Sequence, residues 1–173
     1  MPLQLLIDQT EIAEIVTRLA QQIDQDYQGR SPIVIGILKG SMFFVTDLVR
    51  AMETPIKQIE FMRLSSYGSS TKSSGTVMIT GNLPETLIQD QDLLIVEDIV
   101  DTGNSWAALQ PQLLALQPRS LKICTLLDKP SRRQVAVSLD YVGRRVEDEF
   151  MVGYGLDLNE QYRQLPAIYQ WRA

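Results

Sequence analysis

The chain has 173 residues, a formal net charge of −5, one cysteine and no histidine. This length suits a sizeable hydrophobic core and predicts a single domain over 1–173. No apolar run approaches the roughly 18–20 residues that span a bilayer, and a lone cysteine excludes an internal disulfide. The first residues do not resemble a secretory signal, so we expect a cytoplasmic protein with no membrane partner. The acidic balance argues against general nucleic-acid binding.

The predicted elements alternate between apolar strands and amphipathic helices, which indicates an α/β fold with a central, mostly parallel sheet flanked by helices. A first helix is predicted over 8–26, because apolar residues recur at helical spacing and Asp8 with Glu11 resembles a capping box. A later helix is predicted from about Asn104, where Pro111 would introduce a kink or divide the helix into two pieces. The remaining predicted elements are a helix over about 42–52 and strands over 33–38, 56–64, 76–79, 93–96, 121–127, 135–142 and 150–153.

Two segments depart from this alternation. Residues 81–91 are polar and are predicted to form a loop. Residues 65–75 contain six serines and no aliphatic side chain. On composition alone, this second segment is typical of a flexible surface linker. The alternative is a mobile lid, whose hydroxyl groups and Tyr67 would close over a bound ligand.

The most informative stretch is 93–105, an apolar strand followed by Glu97, Asp98 and a loop with a third acid, Asp101. Ligand sites in open α/β sheets lie beyond the carboxyl ends of the strands, which is where this loop is expected. Backbone N–H groups, a glycine and two hydroxyls could cradle a phosphate at the start of the next helix. These groups belong to Thr102, Gly103 and Ser105. The acids would repel a phosphate, so they suit sugar hydroxyls, a metal ion or a proton.

A plainer interpretation of the same stretch remains open at this point. Glu97 and Asp98 could simply end a strand, and Asp101 could shape a turn. The stretch matches neither the Walker A pattern nor the dinucleotide-binding GxGxxG pattern, which weakens ATPase and dehydrogenase hypotheses. Because histidine is absent, acid–base chemistry would fall to Asp, Glu, Lys or Tyr. A metal site would be lined by oxygen atoms, which favours magnesium.

Five motifs in order resemble those of one enzyme family. The segment Val96-Glu97-Asp98-Ile99-Val100-Asp101-Thr102-Gly103 resembles the phosphoribosyl diphosphate signature of type I phosphoribosyltransferases. Four others resemble motifs of the bacterial hypoxanthine-guanine phosphoribosyltransferases: the first loop at 38–41, the mobile loop at 65–68 and the base-binding segments at 127–130 and 150–157. The resemblance extends over nearly the whole chain. It implies a type I phosphoribosyltransferase fold with a small hood and a flexible lid loop.

The resemblance implies transfer of 5-phosphoribosyl from phosphoribosyl diphosphate to hypoxanthine or guanine, giving IMP or GMP and diphosphate in purine salvage. Asp101 would take the purine proton. Lys129 would donate to the 6-oxo oxygen and so disfavour adenine, whose 6-amino group is also a donor. Phe150 would stack on the purine, Met151 would contact it through its backbone, and Asp157 would lie beside it and help to hold Mg²⁺.

The resemblance also implies how phosphoribosyl diphosphate is held. Glu97 and Asp98 would accept hydrogen bonds from the ribose hydroxyls and, with Asp157, form the metal-binding set. Lys39 and Arg163 would contact the diphosphate. The full set implied for this substrate is Lys39, Gly40, Ser66, Tyr67, Glu97, Asp98, Asp101, Thr102, Gly103, Asn104, Ser105 and Arg163.

Two rival functions fit the same fold. A transferase that prefers xanthine and guanine differs only in the base it accepts. A regulatory protein that binds RNA or DNA should carry a basic face or an added module, whereas this acidic chain retains the three acids and Lys129. The enzyme is therefore the favoured interpretation. Because members of this family form symmetric dimers and tetramers, the resemblance implies a homodimer or homotetramer.

Overall fold

The computed structural model describes residues 3–66, 77–80 and 83–172. Its elements, in chain order, are β1 (Leu3–Ile7), α1 (Gln9–Asp26), β2 (Ile33–Leu38), α2 (Met42–Ala51), β3 (Gln58–Ser66), β4 (Val77–Thr80), α3 (Glu85–Ile88), β5 (Asp92–Val100), α4 (Asn104–Ala115), β6 (Ser120–Asp128), a 3₁₀ turn (Pro130–Arg132), β7 (Tyr141–Arg145), β8 (Met151–Val152) and β9 (Ile168–Trp171). In this part of the chain no helix is long and apolar enough to cross a membrane.

Within the described residues, the larger sheet has six strands in the order β4-β3-β2-β5-β6-β7. All neighbouring strands run parallel except β3 and β4. This arrangement confirms the predicted α/β class with a mostly parallel sheet. Parallel strands are joined by crossover segments, so their carboxyl ends meet at one edge and present the following loops together.

The sheet is covered on both faces, which explains the continuous apolar runs in its central strands. Successive residues of a strand point to opposite faces. Val34, Leu94 and Cys124 therefore pack on the α1–α2 side, and their neighbours Ile33, Leu93 and Ile123 pack on the side of α3 and α4. All these side chains are fully buried. They form a rigid platform beneath the loops at the carboxyl edge.

The first helix begins as predicted, because Asp8 Oδ1 accepts a hydrogen bond from the Glu11 backbone N–H at 2.8 Å. Helix α4 is continuous with Pro111 inside it, so the two-piece alternative is wrong. The loop prediction for 81–91 is wrong at Glu85–Ile88, where a short helix places Ile88 in the core.

The strand prediction over 135–142 is largely wrong. The strand begins only at Tyr141, and 133–140 lie outside regular structure. Here the backbone N–H groups of Gln134 and Val135 donate to Thr102 O at 2.9 and 3.3 Å rather than to a neighbouring strand. The alternating apolar residues of this segment, which suggested a strand, instead include Val137 and Leu139 packed beside α4.

A second, three-stranded sheet has the order β1-β9-β8 and is antiparallel. A small hood was expected from the resemblance, but β1 and β9 were not predicted as strands. These two strands come from opposite ends of the described chain and pair with each other, as in Leu3 opposite Trp171. Local patterns carry little information about such a distant pairing. Through β8, this sheet holds the start of the base-binding segment 150–157 against β9.

Candidate active site

The acids of the central motif lie at the carboxyl edge of the sheet. Strand β5 runs through Glu97 and Asp98 to Val100, further than the predicted 93–96. It pairs with β2 only as far as Val96, whereas its pairing with β6 continues to Val100 opposite Asp128. The strand pairing therefore ends on the β2 side at Val96. Beyond it, Glu97 and Asp98 line two separate cavities.

The loop after β5 is shaped for an anion. Gly103 has a φ of 84° and directly precedes α4, a backbone conformation that glycine adopts without strain. A Cβ at this position would lie 2.9 Å from Val135 O, so the loop is also packed closely against the 133–137 segment. The Thr102 hydroxyl accepts a hydrogen bond from Asn104 N at 3.3 Å. Together with Glu97 and Ser105, this loop lines a small cavity of about 90 Å³.

The first loop packs directly on the acidic strand. A Cβ on Gly40 would lie 1.7 Å from Asp98 Oδ2, and a Cβ on Gly155 would lie 1.9 Å from Gly40 O. The peptide bond between Leu38 and Lys39 is cis. Three of the predicted motifs thus meet at Gly40, where no side chain larger than hydrogen fits.

A pocket of about 600 Å³ joins the predicted proton-transfer group to the predicted base-binding residues. Its lining includes Asp98, Asp101, Lys129, Phe150, Met151 and Asp157. Lys129 is 6% exposed. Its Nζ donates to Glu149 O at 2.8 Å, and its backbone N–H donates to Val100 O at 3.0 Å. Phe150 is 51% exposed and places its ring at the rim of the pocket, whereas the Met151 side chain is buried. The predicted base-binding set therefore converges.

A larger cavity of about 680 Å³ lies elsewhere, along α1 and α2. It is lined mainly by apolar side chains such as Ile12, Val16 and Phe43, and by none of the predicted site residues. The volume of a cavity does not by itself identify an active site. The pocket at Lys129 combines a buried cation, carboxylates and an aromatic ring, so we assign the candidate active site there.

Two ionic side chains at this pocket escaped the sequence analysis. Arg132 Nε lies 3.2 Å from Asp101 Oδ1, and Arg132 Nη1 lies 3.3 Å from Asp148 Oδ1. The sequence signal that could have indicated Arg132 is its spacing from Lys129. It lies three residues after Lys129, on a 3₁₀ turn that begins with Pro130, and residues at this spacing eclipse one another in a 3₁₀ turn.

Lys39 and Arg163, the predicted diphosphate contacts, also lie close together, with the carboxylate of Glu160 between them. Lys39 Nζ lies 2.9 Å from Glu160 Oε2, and Arg163 Nη2 lies 3.3 Å from the same oxygen. Arg163 is further held by Gly155 O at 2.7 Å and by Asp157 Oδ1 at 2.8 Å. Sequence reasoning missed Glu160. The hydrogen bond from Lys39 lowers the pKa of this carboxyl group, desolvation opposes the shift, and Arg163 adds to the lowering. An exposed carboxylate occupies the place expected for a diphosphate oxygen.

The predicted metal ligands do not form a cluster by themselves. Among residues 3–66, 77–80 and 83–172, no three acidic or cysteine side chains are arranged to hold a metal ion. Asp98 and Asp157 both line the base pocket. The pKa of Asp98 is raised mainly by burial, and repulsion from Asp157 adds to this shift. Magnesium in phosphate-binding sites commonly takes one or two carboxylates and completes its shell with substrate oxygens and water. The residues present fit that kind of site.

Glu97 and Asp98 are costly to ionise in the absence of a ligand. Burial, and then repulsion from Asp98, raises the pKa of Glu97 to about 8. Burial raises the pKa of Asp98 to about 6, although the backbone N–H groups of Asp98 and Ile99 oppose the shift. Desolvation disfavours the charged form of a carboxyl group. Ligand hydroxyls or a cation would relieve this cost, as expected for groups that bind a sugar or a metal.

We expect Glu97→Gln to change how stability depends on pH. The folded-state pKa of Glu97, about 8, exceeds the ordinary value of 4.5. Its stabilising contribution is therefore complete below about pH 4.5 and lost as pH rises through about 8. Relative to the unchanged chain, the variant should gain roughly 1–3 kcal/mol in free energy of unfolding between pH 5 and pH 8.5. Denaturant unfolding at both pH values measures this gain.

The matched control is Glu85→Gln, since Glu85 is an exposed carboxyl on α3. This substitution should leave the pH dependence unchanged. Equal pH dependence in Glu97→Gln and the unchanged chain would show that Glu97 titrates normally in the folded protein.

The lid residues fall at the limit of the described chain. Ser66 is the last residue of β3, so 65–66 extend a strand and do not belong to a linker. Tyr67 lies outside the described residues, as does the rest of the predicted lid. The lid remains a prediction from the motif.

Comparison with known proteins agrees with this geometry. The family model for the phosphoribosyl transferase domain matches residues 6–159. A hypoxanthine-guanine phosphoribosyltransferase of Staphylococcus aureus strain N315 is 42% identical over 165 residues, which are 95% of this chain and 91% of that protein. A bifunctional protein TilS/HprT of Listeria innocua serovar 6a is 43% identical over 165 residues, but this chain spans only 25% of its length.

The fold is shared as well. A crystal structure of a hypoxanthine-guanine phosphoribosyltransferase from Bacillus anthracis has a TM-score of 0.90 at 40% identity, over 96% of this chain and 97% of that one. The chain belongs to the phosphoribosyltransferase family and, within it, to the hypoxanthine-guanine phosphoribosyltransferases. The resemblance drawn from the five motifs is thus confirmed.

Proposed function

We propose that this protein transfers 5-phosphoribosyl from phosphoribosyl diphosphate to hypoxanthine or guanine, forming IMP or GMP and diphosphate in purine salvage. The observation that carries the proposal is the pocket in which Lys129, Asp101 and Phe150 meet. Lys129 supplies a buried donor suited to a 6-oxo group, Asp101 a proton acceptor and Phe150 an aromatic surface. Three relatives compared above carry this enzyme's name in whole or in part.

In the reaction, a ring nitrogen of the purine attacks C1 of the ribose. The bond from C1 to the diphosphate oxygen breaks, and its electron pair leaves with the diphosphate. The proton displaced from the purine imidazole passes to the Asp101 carboxylate. The transition state carries positive charge on the sugar and growing negative charge on the diphosphate, so catalysis requires orientation of the base and stabilisation of the leaving group.

The proposed sugar and phosphate contacts follow the order of the motif. The 5-phosphate binds 101–105, where backbone N–H groups precede α4 and the Thr102 and Ser105 hydroxyls are near. Glu97 and Asp98 accept hydrogen bonds from the 2- and 3-hydroxyls. Hydrogen bonds from these hydroxyls would favour the ionised carboxylates. The raised pKa values of Glu97 and Asp98 support this role, because such raised values indicate carboxylates that lack enough hydrogen-bond donors.

The diphosphate is proposed to bind between Lys39 and Arg163. Both cations already contact one oxygen of Glu160, which supports an anion at this position. The incoming diphosphate displaces that carboxylate. Bound Mg²⁺ would neutralise charge on the leaving group. Asp98 and Asp157, which both line the base pocket, are proposed to hold this ion together with substrate oxygens, and Glu97 is proposed as a third carboxylate of the set.

The remaining proposals rest on the family resemblance. Ser66 and Tyr67 belong to a lid that closes over phosphoribosyl diphosphate and excludes water from the reacting carbon. The protein is a homodimer or homotetramer, and residues 1–173 form one phosphoribosyltransferase domain. From the composition, we also propose that the protein is cytoplasmic and binds neither nucleic acid nor membrane.

A substrate assay tests the proposed function. The protein, Mg²⁺ and phosphoribosyl diphosphate are mixed separately with hypoxanthine, guanine, xanthine, adenine and uracil, and nucleotide formation is followed by chromatography. We expect IMP and GMP, because Lys129 donates to a 6-oxo group, and no product from adenine or uracil. Efficient use of xanthine would indicate the xanthine-guanine preference instead. Absence of IMP and GMP would overturn the proposal.

A further inference from the structure

Arg132 has no role in the five motifs, yet it spans the mouth of the base pocket. It ends the 3₁₀ turn Pro130–Arg132, and its backbone N–H donates to Lys129 O at 3.2 Å. Proline at the first position fixes φ there and makes this turn stiff. Arg132 is thereby held at a constant distance from Lys129, the residue proposed to recognise the base. About half of its side chain remains exposed at the rim.

The guanidinium connects two carboxylates from different parts of the chain. Its Nε lies 3.2 Å from Asp101 Oδ1, and its Nη1 donates to Asp148 Oδ1 at 3.3 Å. Asp101 follows β5, whereas Asp148 lies two residues before the proposed stacking ring of Phe150. Asp148 also lies 3.9 Å from Lys129 Nζ. The two cations of the base-binding segment thus share one carboxylate, and only Arg132 extends from it to Asp101.

We propose that Arg132 is a positioning residue that orients the Asp101 carboxylate toward the purine and fixes it relative to the segment that carries Phe150. The proposal rests on the proposed function of Asp101 as proton acceptor. Arg132 contacts Oδ1, and this single contact leaves Oδ2 to accept the purine proton. Arginine suits the task because its planar guanidinium approaches two carboxylates at once. Nη1 donates to Asp148 Oδ1, and Nε forms an ion pair with Asp101 Oδ1, which accepts no hydrogen bond from the described residues. The single ammonium group of lysine cannot reproduce this arrangement.

This arrangement addresses a need of the proposed reaction. Asp101 lies in a loop after a strand, and a carboxylate there can rotate about two side-chain bonds. A proton acceptor works efficiently only within hydrogen-bond reach of its proton, and a small displacement is costly in rate. The ion pair with Arg132 restricts this rotation before the base binds. Because Arg132 acts through Asp101, its removal should matter only while Asp101 can accept a proton.

The test is a double-mutant cycle of Arg132→Gln and Asp101→Asn. The readout is the single-turnover rate of IMP formation with saturating phosphoribosyl diphosphate, since steady-state turnover can be limited by product release. We expect Arg132→Gln to lower this rate roughly 10-fold, with the KM for phosphoribosyl diphosphate within about twofold of the unchanged enzyme. In the Asp101→Asn background, the same substitution should cause less than about a twofold further loss.

Arg132→Lys separates the fork from the charge. It keeps a cation on the exposed rim but has one donor group, so it should recover only part of the lost rate. Arg145→Gln is the matched control, because Arg145 is an exposed arginine that approaches a different carboxylate, Asp128, at 3.7 Å. The control should react at the unchanged rate. If Arg132→Gln does not fold, as judged by circular dichroism, Arg132→Lys replaces it in the cycle.

Three results would overturn the proposal. One is an unchanged rate in Arg132→Gln, and another is an equal loss in the presence and absence of the Asp101 carboxylate, which would indicate a general structural role. The third is full recovery by Arg132→Lys, which would leave no need for the fork. Failure of the proposed function is distinguishable, because the unchanged protein would then form no IMP.

Discussion

Asp101→Asn is expected to lower the single-turnover rate of IMP formation by about 10²- to 10⁴-fold, the usual contribution of a positioned general base. Asparagine has nearly the same shape as aspartate and can keep an oxygen beside Arg132, whose Nε lies 3.2 Å from Asp101 Oδ1. It cannot accept the purine proton. The loss should therefore fall on the chemical step, and the affinity for phosphoribosyl diphosphate should change by less than about threefold.

Two measurements separate this effect from simple damage to the phosphate loop. Equilibrium binding of phosphoribosyl diphosphate by calorimetry reports on the loop directly. The control Asp90→Asn removes an exposed carboxyl beside the opposite end of β5, at a residue with a φ of 57° that asparagine tolerates well. It should retain full activity. A folded Asp101→Asn variant that reacts at the normal rate would exclude Asp101 as the proton acceptor.

The central motif could be interpreted from the sequence because its chemistry is local. A strand, three acids, a glycine and hydroxyls lie within thirteen residues, and the structure places them at one edge of the sheet. The helix α1 could be predicted equally well because its buried apolar residues recur at helical spacing, and the strand β2 because its apolar residues form a continuous buried run. Such patterns require no knowledge of distant partners.

What the sequence could not supply was the pairing of distant segments. β1 and β9 stabilise each other across almost the whole chain. The segment before β7 resembled a strand because Val135, Val137 and Leu139 alternate, but the N–H groups of Gln134 and Val135 donate to Thr102 O in the phosphate loop. An alternating apolar pattern indicates which side chains are buried, but it does not identify the acceptors of the backbone N–H groups.

The same limit applies to the site. Lys39 and Arg163 were predicted as diphosphate ligands from their motifs, but Glu160, which lies between them, was not. Likewise, Asp101 and Lys129 were expected near one purine, and only the fold shows Arg132 and Asp148 beside them. Motifs identify residues that contact a ligand. The side chains that hold those residues in place are recognised only once the elements are assembled.

Lys129→Gln is expected to lower kcat/KM for hypoxanthine roughly 100-fold and to weaken the discrimination against adenine. Lys129 is almost fully buried, and its ammonium already donates to Glu149 O at 2.8 Å. An ammonium group has three protons, so it can donate to a 6-oxo oxygen at the same time. Glutamine keeps one neutral donor for Glu149 O but lacks the charge, and its own carbonyl can accept from the 6-amino group of adenine.

The decisive quantity is the ratio of kcat/KM for hypoxanthine to that for adenine, because a general loss of activity would leave this ratio unchanged. Lys122→Gln is the matched control. Lys122 lies near the start of the same strand, β6, and pairs with Asp26 at 2.6 Å. Its loss should affect stability alone. If Lys129→Gln lowered activity with both bases equally, Lys129 would stabilise the pocket without recognising the base, and the preference for 6-oxopurines would have to come from backbone groups of the Phe150–Asp157 segment.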